Sequence, residues 1–184
     1  MLTSVAYLPG IGIALAGTTL VGQAIGAGDR AWARRLGNTT IAATMTYMGS
    51  IGVLLALAGP WLLPLFVNPG DADSAAVVAL GGTLLWIAAG YQLFDGMQLG
   101  SGFALRGAGD VRVPALMFLG LSWGVFVPLA YLLSFAPGQG WFDGAPALGW
   151  GATGGWLAML AYVLLLAAAL NLRWRSTRWQ RIRL

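Results

Sequence analysis

Five long apolar stretches, each with at most one charged residue, divide the chain. They cover approximately residues 2–25, 37–59, 75–105, 114–135 and 151–172. A helix needs about 20 residues to cross the roughly 30 Å hydrocarbon core of a bilayer, and each stretch is at least that long. Because backbone amides inside a membrane must bond within their own segment, the pattern predicts five transmembrane helices.

Composition favours a membrane protein over a soluble one. Of the 184 residues, 58% are hydrophobic and 9% are charged, whereas a soluble domain carries about 25% charged residues. A soluble fold with this composition would lack the polar groups needed to cover its surface. The fold class that we predict is all-α, a polytopic bundle of membrane helices, with residues 173–184 forming a basic tail.

The arginines are distributed unevenly among the connections between the predicted helices. All ten basic residues are arginines, and they lie in the first connection, the third connection and the tail. The second and fourth connections carry Asp71, Asp73 and Asp143 and no arginine. The positive-inside rule then predicts that the arginine-bearing connections and the C-terminus are cytoplasmic, with Met1 on the outer side.

Eight of the nine tryptophans fall into two predicted groups. One group is expected in aromatic belts at the membrane surfaces, because its members lie in connections or at helix ends: Trp61, Trp141, Trp150, Trp174 and Trp179. The other group lies within the apolar stretches and is expected in the core: Trp86, Trp123 and Trp156.

The tetrapeptide GAGD occurs twice, at residues 26–29 and 107–110, each time at the arginine-bearing end of a predicted helix. Glycine suits the left-handed position that closes a helix, and aspartate suits the N-cap of the next helix. The repeat predicts two tight structural turns, with a gating role as the alternative, formed by Gly26, Gly28 and Asp29 and by Gly107, Gly109 and Asp110. In the fourth helix, Pro128 lacks an amide hydrogen and predicts a kink.

Asp95 is the one charged residue within a predicted span. A charge at this depth costs on the order of 3 kcal/mol or more, so it persists where it faces a polar cavity or another polar helix. Tyr91, Gln92 and Gln98 lie four residues before, three before and three after it, and therefore share its helical face. Such oxygen ligands can bind a proton or a small hard cation. The structural alternative is an aspartate hydrogen-bonded between helices.

Several functional classes are excluded. The chain has no cysteine and no histidine, which excludes thiol nucleophiles and the usual zinc and copper ligand sets. It contains neither a Ser/His/Asp set nor a phosphate-binding glycine loop, so we predict no enzyme activity and no cofactor. The basic charge reflects membrane topology rather than nucleic-acid binding.

Seven short stretches resemble the C-terminal half of the multidrug and toxic compound extrusion (MATE) transporters. They follow that family's order and spacing over nearly the whole chain: PGIGI at 9–13 with LVGQ at 20–23 and GAGD at 26–29, YQLFDGMQ at 91–98, LRGAGD at 105–110, SW at 122–123 with Pro128, and GATGGW at 151–156. Each stretch alone is weak, and the set together is specific.

The resemblance implies a secondary transporter. Family members look like twelve-helix antiporters of two six-helix lobes, which expel amphipathic cationic drugs by using a sodium or proton gradient. Residues 1–172 look like part of the C-terminal lobe, helices eight to twelve. In the NorM-like branch, Asp95 and Tyr91 match a cation-coupling site and Gln92 and Gln98 are cavity-lining candidates. Sodium at Asp95 is the one metal implied, and sodium or protons are the coupling ion.

The resemblance also implies a location and partners. It places the chain in a bacterial inner membrane as a multi-pass protein with a cytoplasmic C-terminus. The implied partners are the lipid bilayer, amphipathic cationic small molecules and the N-terminal lobe of the same protein. Family members are much longer, so a fragment is expected, lacking that lobe and the seventh helix with its acid.

Two alternatives to a drug antiporter stay open. One is a flippase for lipid-linked precursors or polysaccharides from the same superfamily. The absence of arginine within the spans counts against it, because such cavities are lined by basic residues. The other is a truncated membrane protein or scaffold without transport activity of its own, against which the polar face around Asp95 argues.

Overall fold

The structure is a computed structural model that describes residues 4–67, 74–136, 138 and 148–181. Within these ranges the chain is helical and contains no strand. The acidic residues expected in the outer connections, Asp71, Asp73 and Asp143, and also Trp141, lie outside the described residues. The α-helices are α1 (Ser4–Gly26), α2 (Arg30–Leu62), α3 (Ser74–Gly107), α4 (Arg112–Leu121), α5 (Val127–Ser134) and α6 (Gly151–Arg175).

Five of the helical segments in the described ranges are long and apolar enough to cross a membrane. They correspond to the five apolar stretches, with α4 and α5 together forming the fourth span, Arg112–Ser134. The predicted helical membrane bundle is therefore confirmed. The prediction was wrong at the start of α2, which begins at Arg30 and not near residue 37. The Asp29 side chain caps that earlier start by accepting a hydrogen bond from the Trp32 amide at 2.8 Å, and no proline or glycine interrupts the first turn.

The third span is the centre of the bundle. Helix α3 packs most extensively against α2 and also contacts α6 and α1. The fourth span packs on α6, and α4 makes no extensive contact with α1 or α3. Helices α1 and α4 therefore flank one face of α3 without closing over it, and that face carries Asp95.

Small residues allow α2 and α3 to approach closely. A Cβ atom built on Gly96 would lie 2.7 Å from the carbonyl oxygen of Thr44, and one built on Gly100 would lie 2.8 Å from Cα of Ile41. The Thr44 hydroxyl donates a hydrogen bond of 2.8 Å to the Gly96 carbonyl oxygen across this contact. Close backbone approach and interhelical hydrogen bonds are the means by which membrane helices associate, since lipid supplies no hydrophobic driving force.

The two GAGD segments close α1 and α3 in the same way. The amide of Asp29 donates to the carbonyl of Ala24, and the amide of Asp110 donates to the carbonyl of Leu105. These bonds, with Gly28 at φ +81° and Gly109 at φ +79°, form the Schellman arrangement in which a left-handed glycine ends a helix. Gly26 and Gly107 are the last residues of α1 and α3.

The second aspartate of the repeat does not cap the next helix. Val111 precedes α4, and no side chain caps that helix. Asp110 is instead buried and forms an ion pair of 2.7 Å with Nε of Arg173 at the end of α6. The N-cap prediction for Asp110 is therefore wrong. Burying a carboxylate without a charged partner costs more free energy than leaving an exposed helix start without a side-chain cap.

The fourth span is interrupted before Pro128. Residues Ser122–Phe126 form a π-helical turn, in which the Val127 amide donates to the carbonyl of Ser122. Pro128 is the second residue of α5 and supplies no amide to continue the ladder. The irregularity therefore begins six residues before the proline that predicted it.

The structure describes residues 173–181 of the predicted basic tail, and this part is largely helical. Helix α6 continues to Arg175, and Thr177–Arg181 form a 3-10 helix. Trp174 and Trp179 are fully buried against the core, so their assignment to an aromatic belt is wrong. The expectation that Trp86 and Trp123 are core residues is also wrong, because both are more than half exposed in the protein.

Candidate functional site

A cavity of about 350 Å³ lies against the face of α3 that α1 and α4 leave open. Its polar lining comes from three helices: Tyr7 of α1, Tyr91, Gln92, Asp95 and Gln98 of α3, and Tyr162 of α6. We call this space the polar cavity. Its apolar lining consists of Phe118, Met159, Val163 and Leu166.

The four α3 residues singled out in the sequence lie together in this cavity. Asp95 is half-buried, and its neighbours at helical spacing, Tyr91, Gln92 and Gln98, line the same space. The helical period alone places them on one face, and the packing of α2 behind α3 turns that face toward the cavity. The prediction that they share a face therefore agrees with the geometry, while their roles in ion coupling stay predictions.

Two tyrosines of the site were missed in the sequence. Tyr7 and Tyr162 reach the polar cavity from α1 and α6, and the Tyr162 hydroxyl lies 3.0 Å from the Ser122 hydroxyl at the π-helical turn. Each is a lone phenol in an otherwise apolar helix, which was an available signal. Sequence spacing does not show which face of one helix meets another, so their convergence on Asp95 required the structure.

Aromatic rings form much of the wall. The rings of Phe118 and Tyr162 meet edge to face with centroids 6.3 Å apart. The Phe126 ring also packs on Tyr162, with centroids 5.4 Å apart, and the Tyr91 ring packs against Trp156 at 5.7 Å. Such rings offer negatively polarised faces to a cation. The cavity therefore combines one carboxylate with surfaces that suit a flat, positively charged organic molecule.

A second cavity of about 460 Å³ continues from the first. Tyr7, Gln98 and Phe118 line both. The second cavity runs between α1, α3 and α4 toward the arginine-bearing end of the bundle, where Arg106 reaches it. The Arg106 guanidinium lies 4.9 Å from the centroid of the Phe103 ring. The two cavities together connect Asp95 with that end of the protein.

Gln92 differs from the other polar residues of the site. It is almost fully buried, and its Nε2 atom makes no hydrogen bond within the described part of the chain. Its Cβ and Cγ atoms lie so near Gly52 of α2 that a Cβ there would come within 3.2 Å of both. Gln92 thus belongs to the α2–α3 contact as much as to the cavity lining.

Comparison with known proteins assigns the chain. A family model described as MatE matches residues 1–132, which is more than half of the sequence. The chain belongs to the MatE family. No solved structure matches it.

Its relatives include proteins named for drug resistance. The chain is 39% identical over 162 residues to the multidrug resistance protein NorM of Burkholderia vietnamiensis, covering 88% of this chain and 34% of that protein. It is 37% identical over 179 residues to the probable multidrug resistance protein NorM of Pseudomonas aeruginosa, covering 95% and 34%. The chain therefore spans about a third of the length of the curated relatives it matches.

The donor set of this MatE chain limits what the site can hold. The described residues contain no cluster of three or more histidine, cysteine or acidic side chains. Asp95 is the one carboxylate in the lining of the polar cavity, and its other oxygen donors are neutral phenols and amides. One negative charge among neutral oxygens suits a monovalent ion or a proton, because divalent ions take several carboxylates or keep much of their water.

Proposed function

We propose that this MatE chain is part of a longer secondary transporter that expels amphipathic cationic drugs in exchange for sodium ions or protons. The observation that carries the proposal is the placement of Asp95: a single carboxylate inside a span, lining a cavity walled by tyrosines and apolar side chains. The names of the NorM relatives support multidrug substrates. No basic side chain lines the polar cavity, which favours a cationic substrate over an anionic one.

The proposed mechanism is alternating access with competition for Asp95. The carboxylate binds the coupling ion with help from the phenol of Tyr91, and Tyr7 and Tyr162 complete the polar wall. A drug cation entering the same cavity packs on Phe118 and displaces the ion. Since both ligands need the one negative charge, binding of either disfavours the other, and an ion gradient can then drive drug export.

The proposed setting follows the arginine distribution. The end of the bundle that carries the two GAGD turns and the end of α6 lies in the cytoplasm, and the protein resides in a bacterial inner membrane. The N-terminal lobe of the complete protein would close the face of α3 that α1 and α4 leave open. The chain works there without a cofactor, with sodium or protons as the coupling ion.

Transport by the reconstituted complete protein tests the proposed function. Ethidium movement across liposome membranes is measured under an imposed sodium gradient, an imposed pH gradient, or neither, without ATP. We expect transport with one gradient, and its loss when an ionophore collapses that gradient. Transport that persists without any gradient would contradict antiport. So would the absence of transport under both the sodium gradient and the pH gradient, in protein shown to be folded.

A further inference from the structure

The end of α6 is fastened to the start of α2. Nε1 of Trp174 donates a hydrogen bond of 2.9 Å to Oδ1 of Asn38. The Trp174 ring lies directly on Gly37, where any side chain would overlap it. These two contacts join residues that are more than 130 positions apart in the sequence, and they fix the relative position of the two helix ends.

The chain then folds back onto this junction. Ser176 is extended, and the following 3-10 helix brings Trp179 against Trp174. The two rings stack with centroids 4.5 Å apart and planes 5° from parallel. Nε1 of Trp179 donates to the Trp174 carbonyl at 2.7 Å. The segment after α6 is therefore held in place at the surface of the bundle.

This arrangement collects five exposed arginines at one corner. Arg34 and Arg35 lie one helical turn before Asn38, and Arg30 lies a further turn before them on α2. Arg175 directly follows Trp174, and Arg178 directly precedes Trp179. All five are exposed. We call these five residues the arginine patch.

The patch is not neutralised by the protein. Among the described residues, the one ion pair joins Arg173 to Asp110, and it involves none of the five. The nearby Asp29, which caps α2, adds only one negative charge beside these five positive ones. Arg106 and Arg112 lie at the other turn, and Arg106 rests on the Phe103 ring. The excess positive charge is thus concentrated at the α2–α6 corner.

We propose that the arginine patch binds the headgroups of anionic phospholipids in the leaflet at this end of the bundle. The patch lies where two spans leave the membrane, the depth at which lipid phosphates lie. Guanidinium groups pair with phosphate oxygens in bidentate fashion. Basic clusters next to transmembrane helices gain about 1 kcal/mol per residue from anionic lipid.

The lipid site goes beyond transport and is tested by binding alone. The purified complete protein is titrated with phosphatidylglycerol or phosphatidylcholine, and bound lipid is counted by native mass spectrometry. We expect phosphatidylglycerol to bind more tightly. The variant Arg34→Gln/Arg178→Gln should bind it about 25-fold more weakly, at roughly fivefold for each arginine. The matched control Arg106→Gln/Arg112→Gln loses the same charge elsewhere and should weaken binding less than about threefold.

A third variant tests whether lipid binding depends on the assembled patch or only on the total charge. Trp179→Ala keeps every arginine and releases the segment that carries Arg178. We expect it to weaken phosphatidylglycerol binding several-fold. The proposal is overturned if the two double variants lose equal affinity, if both lipids bind the wild type equally, or if folded Trp179→Ala binds like wild type. Should Trp179→Ala not fold, the comparison of the double variants decides.

Discussion

Replacing Asp95 with asparagine is expected to reduce ethidium efflux by the complete protein at least tenfold, to the background of cells without it. The substitution keeps the size of the side chain and removes its charge. A drug cation about 4 Å from the carboxylate gains about 4 kcal/mol at an effective dielectric constant of 20, and losing about a third of that costs tenfold in affinity. The coupling ion loses the same partner, so both halves of the exchange fail.

The control is the same chemical change at another position. Asp29→Asn leaves the cap of α2 in place, because asparagine caps helices as well as aspartate does, and efflux should stay at the wild-type level. The thermal midpoint of Asp95→Asn should not fall, since a neutral amide within a span costs less than a charge. Wild-type efflux in Asp95→Asn would refute the role that we assign to Asp95.

Replacing Gly96 with alanine is expected to destabilise the bundle by about 3 kcal/mol, near the upper end for overpacking. The added methyl group would lie 2.7 Å from the Thr44 carbonyl oxygen and 2.9 Å from Cα of Met45. Both are backbone atoms that cannot rotate aside, so α2 and α3 must separate and strain the hydrogen bond from the Thr44 hydroxyl. The measurement is the thermal midpoint of the purified protein in detergent.

Gly90→Ala supplies the matched control on the same helix. Gly90 is exposed, and a Cβ atom built there meets nothing within 4 Å. Alanine is the better helix former by up to about 1 kcal/mol, so this variant should melt at or slightly above the wild-type temperature. Equal melting of the two variants would show that the close α2–α3 contact does not limit stability.

The parts of the fold that depend on local patterns could be predicted from the sequence. The lengths of the apolar stretches predicted the five spans, because each helix must cross the same thickness of hydrocarbon. The GAGD segments indicated left-handed glycines, and both Gly28 and Gly109 adopt positive φ angles. The shared face of Tyr91, Gln92, Asp95 and Gln98 follows from the helical period.

The parts that depend on contacts between distant segments could not be predicted. Asp29 and Asp110 occupy the same place in the repeat, yet one caps a helix and the other pairs with Arg173. What distinguishes them is burial, which the tetrapeptide does not encode. Trp174 and Trp179 lie at the end of a predicted helix, where an aromatic belt is expected. Because residue 37 is glycine, the Trp174 indole packs against α2 instead.

The candidate site shows the same division. Its α3 half follows from spacing within one helix, whereas Tyr7 and Tyr162 reach it because α1 and α6 both pack on α3. The start of α2 was placed too late because the first turns of that helix are polar. The apolar stretch shows only which part of a helix crosses lipid. A helix with a good N-cap can begin before the chain enters the membrane.

Ion release on drug binding tests the central claim most directly, namely that drug and coupling ion compete for Asp95. Ethidium is added to the purified complete protein, either loaded with radioactive sodium or held in a weakly buffered solution with a pH indicator. We expect the wild type to release about one ion for each ethidium bound, as reciprocal linkage at one shared charge requires, and Asp95→Asn to release none. Ethidium binding without ion release in the wild type, or equal release from Asp95→Asn, would contradict the claim.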